Sequence, residues 1–211
     1  MNKSLLLSSL LMGLLMLVAC EEEPVYNQLT QDQLRHLYFV DDDFVYNGET
    51  VESAGDVRFL LNGDEIVEID VTTRISEVRT NGSVATNRFN VDGESELDMS
   101  SLGFRTVVIN VDGSSSEDQQ FMSLLISSSD GLLFDTVLPL PAHENLNAGP
   151  KELESVTVNG ITYDDVYTFL RSDLNQYQFD FDGFERLYFA KDHGFILIET
   201  TNGLQLELFN N

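Results

Sequence analysis

The residues able to do chemistry are mostly carboxylates. Asp41-Asp42-Asp43 is a run of three acids just before Phe44. Such a run could contribute to a Ca²⁺ site, since that ion takes about six to eight oxygen ligands. A solvated acidic loop is the plainer reading. Asp180, Asp182 and Glu185 flank Gly183 and superficially resemble a calcium loop, but the EF-hand spacing is not met. Strand alternation would put Asp180 and Asp182 on one face, so a cation site, a paired-carboxylate glycosidase and a plain wet face all remain open. The histidines, His36, His143 and His193, are scattered and lack the three- or four-ligand grouping that zinc needs. Ser114-Ser115-Ser116 and Ser127-Ser128-Ser129 flank turns, and neither sits in a G-x-S-x-G elbow. The glycines are dispersed, so no phosphate-cradling loop is formed. No catalytic residue, cofactor site or metal site is assigned.

Cys20 is a different case. Lys3 opens the chain with a positive charge, and residues 5–18 are apolar apart from Ser8, Ser9 and Gly13. The run is too short for a hydrocarbon core of about 30 Å, which takes about 20 apolar residues. It reads as a signal peptide over residues 1–19. Leu17-Val18-Ala19-Cys20 has a leucine three residues before the cysteine and a small residue next to it. This resembles the lipobox of bacterial lipoproteins. The resemblance implies cleavage before Cys20, a thioether-linked diacylglycerol on it and palmitate-class acylation. Each buried CH₂ contributes about 0.8 kcal/mol, so two or three chains hold almost permanently. Glu21-Glu22-Glu23 then begins an acidic tether over residues 20–30. An acidic cluster at that place is similar to the surface-export signal of Bacteroidota lipoproteins. The expected location is therefore the outer membrane, lipid-anchored and facing the cell surface, with the periplasmic face as the alternative.

Composition narrows the partners. There are 11 Lys and Arg against 36 Asp and Glu, a formal net charge of −25. A polyanion of this kind is repelled by nucleic acid and by anionic lipid headgroups. The membrane contact expected is the covalent lipid alone, with a protein or small ligand as partner. With Cys20 lipidated, no cysteine remains for a disulfide, a thiol nucleophile or a thiolate metal site.

Residues 31–211 read as one β-rich domain. Thr30-Gln31-Asp32-Gln33 has the pattern of a cap on a short helical turn carrying Leu34, Leu37 and Tyr38. From Phe44 onward, Asn-Gly and Asp-Gly dipeptides recur. Asn-Gly stands at 47–48, 62–63, 81–82, 159–160 and 202–203, and Asp-Gly at 92–93, 112–113, 130–131 and 182–183. Both tolerate the positive φ angles of hairpin turns. Residues 65–73, 177–182 and 204–208 alternate apolar and polar, as half-buried strands do. Residues 104–111, 121–127 and 132–138 are apolar on both faces and are expected to be central strands. Residues 139–150, which hold three of the four prolines, should form a loop separating a larger N-terminal part from C-terminal hairpins. The expected fold is all-β and antiparallel: a hairpin-built curved sheet, half-barrel or two-layer sandwich.

The last quarter of the chain carries a second resemblance. Residues 156–167 read VTVNGITYDDVY, residues 186–199 read RLYFAKDHGFILIE, and Asn202-Gly203 leads into residues 204–208, LQLEL. This order resembles a pattern in small uncharacterised Bacteroidota envelope lipoproteins, with His193 departing from the small or aliphatic residue usual there. The resemblance implies a β-rich lipoprotein. The function expected is non-enzymatic binding of a ligand or protein partner. The alternative is a periplasmic carrier or assembly factor holding an apolar ligand in the curved sheet. A continuous apolar concavity would favour the carrier; a filled core would favour the partner-binder.

Overall fold

A computed structural model describes residues 23–79, 88–102, 106–113, 121–128, 131–139, 151–170 and 184–209. The elements are β1 (Val25–Asn27), α1 (Gln31–Leu34), β2 (Val51–Leu61), β3 (Glu65–Arg79), β4 (Arg88–Asp98), β5 (Thr106–Asp112), β6 (Phe121–Ser128), β7 (Gly131–Pro139), β8 (Lys151–Val158), β9 (Ile161–Leu170), β10 (Phe184–Ala190), β11 (Gly194–Thr200) and β12 (Gln205–Leu208). One sheet contains all the strands, in the order β7-β6-β5-β4-β3-β2-β12-β11-β10-β9-β8. Every neighbour along that path is antiparallel. Strand β1 lies off it, parallel to the start of β4. The end strands β7 and β8 are not paired with each other, so the sheet is open. This is the all-β, antiparallel, curved sheet expected from the hairpin signals.

Several hairpins turn where Asn-Gly stands. Asn159 and Gly160 have φ 48° and 77° in the two-residue link between β8 and β9. Asn62 and Gly63 have φ 52° and 84° between β2 and β3. The link at 81–82 lies outside the described residues, as does Asp182-Gly183. Asp92-Gly93 does not turn the chain: it lies inside β4, paired to Ser76 and Ile75 of β3 and to Asp112 and Val111 of β5. Gly93 is required there for room, since a Cβ would overlap Leu37 Cδ1. Asp112 ends β5, and the N–H of Gly113 donates to the carbonyl of Val91 at 2.8 Å.

The central-strand expectation also needs correction. Strand β7 ends the path, with β6 and β5 behind it. Among the residues whose burial is described, β11 is buried on both faces, residues 194–198 all being buried. Apolar character on two faces reports burial, and it does not report a strand's place in the order. The alternating stretches behave as expected where they are described. In β3, Ile69 and Val71 are buried while Glu68, Asp70 and Thr72 are exposed, and in β12 Leu206 and Leu208 are buried. Residues 177–182 and 140–150 lie outside the described residues.

The N-terminal segment fills the inside. Thr30 caps α1 in a capping box with Gln33. Four consecutive residues then reach four parts of the sheet. His36 stacks on Tyr167 of β9 and Phe189 of β10. Leu37 lies over Gly93 of β4, Tyr38 over Gly194 of β11, and Phe39 over Gly55 of β2. In a flat sheet β4 and β9, six steps apart on the path, would be about 29 Å from each other at about 4.8 Å per strand. Residues 36–39 span at most about 11 Å. The sheet must therefore curl round this plug. Burying Leu34, Leu37 and Tyr38 contributes about 1.5–3 kcal/mol for each side chain.

The plug's polar groups are matched to the wall. Gln33, fully buried, donates from Nε2 to the Asp112 carbonyl at 2.6 Å. The Tyr38 N–H donates to Ser95 Oγ at 3.1 Å, and the Phe195 N–H donates to the Tyr38 hydroxyl at 2.7 Å. Burial pushes the Tyr38 phenol well above its ordinary range, although the Phe195 N–H opposes this. Tyr38 thus ties β4 to β11 through the plug.

Candidate functional site

Strand β12 is short, and this leaves a notch. It pairs with β2 only at residues 59–61, so the first part of β2 faces a gap toward the β10–β11 turn. Beyond β12, the Phe209 N–H donates to the Arg58 carbonyl at 2.9 Å and closes the bottom. The plug forms the back wall. The cleft so made has a volume of about 540 Å³. Its floor is apolar, from Leu37, Tyr38, Val57 and Leu208.

Phe39 stands in this cleft, 48 % exposed. Its φ is 57°, a left-handed conformation that is a true outlier for a bulky side chain. Its flanks hold it there: Tyr38 is bonded at its N–H and hydroxyl, and the ring lies on Gly55, where a Cβ would come within 2.9 Å of Cζ. The rim is charged. Arg35 makes a two-pronged bond to Asp192 at 2.8 and 2.6 Å. That bond lowers the Asp192 pKa and raises that of Arg35. Arg58 donates to Glu68 at 2.9 Å. Asp41, Asp42, Asp56 and His193 also line the cleft. Asp56 faces Asp70 across the β2–β3 pair, and the hydrogen bond and like charge of Asp56 raise the Asp70 pKa.

A second group lies on the outer face of the sheet. Asp92 and Asp112 are register partners on β4 and β5. Burial, then the hydrogen bond and charge of Asp112, push the Asp92 carboxyl up to about 7. Asn27 Nδ2 donates to Asn90 Oδ1 at 2.8 Å, and Asn90 Nδ2 to Asp112 Oδ1 at 3.3 Å, so the pair sits where β1 and β5 meet end to end along β4. Arg74 and Glu94 line the same shallow trough. The arrangement favours a proton on Asp92 up to about pH 7. It does not resemble two glycosidase carboxyls, which stand at least about 5 Å apart with a sugar bond between them.

Of the residues singled out in the sequence, Cys20, Glu21, Glu22, Asp180, Asp182, His143 and Ser114 to Ser116 lie outside the described residues. Asp41 to Asp43 and Glu185 are exposed. Among the described residues no group of three or more His, Cys, Asp or Glu is placed to hold a metal ion, and no helix is long and apolar enough to cross a membrane. His36 is a core residue. Its Nδ1–H donates to the Asp32 carbonyl at 2.6 Å, and burial holds its pKa down to about 4. His193 is exposed in the β10–β11 turn, edge-on to Tyr163 at 5.1 Å between ring centroids.

Sequence reasoning missed both Phe39 and the Asp92–Asp112 pair. The only signal for the pair was an Asp-Gly dipeptide, which reads as a turn. For Phe39 the signal was an aromatic next to the cap-like stretch. No family model, no curated protein and no solved structure matches the chain.

Proposed function

We propose that the chain is a lipid-anchored protein of the bacterial outer membrane, of the Bacteroidota lipoprotein type. In this reading it is held by diacylglycerol on Cys20, displayed at the cell surface, and acts by binding a protein partner rather than by catalysis. The lipobox ending at Cys20 and the acidic run behind it support the location. One observation carries the choice of activity: residues 36–39 fill the described inside of the curved sheet. A filled inside favours partner binding over carriage of an apolar ligand. What stays open is the notch beside Phe39, a recess with an apolar floor and charged rim of the kind that binding sites use.

Two measurements test the anchoring. Cys20→Ala should leave the β domain folded and move it from the membrane fraction to the soluble one; membrane retention of that variant would refute the anchor. Protease added to intact cells should degrade the wild type. Degradation only after lysis would move the protein to the periplasmic face.

A further inference from the structure

We propose that the notch between β2 and the β10–β11 turn binds a lysine- or arginine-bearing segment of another polypeptide, with its cation against the Phe39 ring. This names the partner chemistry of the site described above and rests on the partner-binding reading.

The argument starts from what Phe39 costs the free protein. A left-handed backbone at a bulky non-glycine residue is strained. Burial would offset that, yet the ring is 48 % exposed. Asparagine or glycine would fit the same backbone with less strain. What phenylalanine adds is an aromatic face, presented in a cleft and braced from below by Gly55.

The charge around that face selects the ligand. The two arginines of the lining are already engaged, Arg35 with Asp192 and Arg58 with Glu68. Asp41 and Asp42 make no ion pair among the described residues, and Asp42 accepts from the Gln31 amide at 3.3 Å. Among the described residues the notch therefore presents two carboxylates that no arginine neutralises. An anionic or apolar ligand would leave them so. A cationic side chain meets them, places its charge over the ring and lays its methylene stem on the apolar floor. The volume of about 540 Å³ admits a few side chains, in keeping with a peptide segment. The net charge of −25 draws such a segment in from solution.

The test uses the full-length chain in neutral detergent at 0.15 M salt. Calorimetry compares hexa-arginine, its uncharged isostere hexa-citrulline, and hexa-glutamate. Hexa-arginine should bind, and the other two should not. Phe39→Leu keeps bulk but loses the ring face, and should weaken binding roughly five- to thirty-fold; Phe39→Tyr should keep it. Asp42→Asn should weaken it as well, whereas Asp64→Asn and Glu96→Gln, exposed acids elsewhere on the sheet, should change it less than two-fold. Because Asp42 is exposed, its substitution reads the site even where Phe39→Leu fails to fold. The proposal is overturned by equal binding of hexa-citrulline, by indifference to both Phe39→Tyr/Leu exchange and Asp42→Asn, or by equal losses at Asp64 and Glu96. That last result would mean binding to the overall charge alone. Membrane fractionation of Cys20→Ala is independent of all these arms, so failure of the anchor and failure of the notch are told apart.

Discussion

His36 and Asp92 carry opposite pH dependences. His36 is held down to about 4, below its ordinary value near 6.5, chiefly by burial. Its contribution is complete above pH 6.5 and is lost as pH falls toward 4. Asp92 is raised to about 7 by burial and by Asp112. Its contribution is complete below about pH 4 and is lost as pH rises through 7. Between pH 4 and 6.5 the two slopes oppose each other. His36→Phe, which keeps the ring stack, should leave urea stability falling as pH rises from 4 to 7. Asp92→Asn should leave stability rising from 4 to 6.5. Parallel profiles for the two variants would contradict these assignments. Gly194 gives a sharper test of the plug. It has φ 75°, and a Cβ there would overlap the Tyr38 hydroxyl. Gly194→Ala should cost more than about 2 kcal/mol in chemical denaturation, since it adds overlap in a packed core to backbone strain. Neither role was visible in the sequence. The glycine stands after a charged corner, where a turn or bulge is the natural expectation, and its contact lies 156 residues away in the chain.

At the scale of elements the sequence was most informative where the signal is local. The capping box at Thr30 and Gln33 needs only four residues, and the structure has it. The Asn-Gly turns at 62–63 and 159–160 need only two. Thr30→Ala should lower stability by about 1 kcal/mol, and Leu34→Ala, which hollows the plug, by about 2–5 kcal/mol. A Leu34→Ala loss no larger than that of Thr30→Ala would mean that the plug does not organise the core. The order of strands was not legible. Residues 195–198 are apolar on both faces, which signals burial but not a place in the strand order, and nothing in residues 205–208 announces that β12 is too short to cover β2. The notch is therefore a property of unequal strand lengths, and alternation patterns do not contain it. Asp92-Gly93 was misread for a related reason: the dipeptide has turn chemistry, but Leu37, 56 residues earlier, requires the glycine inside a strand.

For the whole molecule, charge dominates. The outer positions of β2, β3 and β4 include Asp56, Glu68, Asp70, Glu94, Glu96 and Asp98, and self-repulsion at −25 opposes the compact state. Raising salt from about 0.05 to 0.5 M shortens the screening length from over 10 Å to under 5 Å. It should raise the thermal midpoint while weakening the binding of hexa-arginine. A midpoint that falls with salt would show that the ion pairs at Arg35 and Arg58 outweigh the repulsion.

The N-terminal end of the domain also has a mechanical side. Gln28 and Tyr46 form a two-way clasp: the Gln28 amide donates to the Tyr46 carbonyl at 3.0 Å and accepts from the Tyr46 N–H at 2.9 Å. The whole plug lies in the loop between them. Tension applied at residue 23 runs through β1 to Gln28 and crosses the clasp to Tyr46, from which it enters β2. Residues 29–45 are bypassed, so a pull at residue 23 does not draw His36 or Tyr38 out of the core while the clasp holds. Gln28→Ala would remove that shunt. In a single-molecule pull from the N-terminus, the first rupture of that variant should come at lower force and release the plug together with β1.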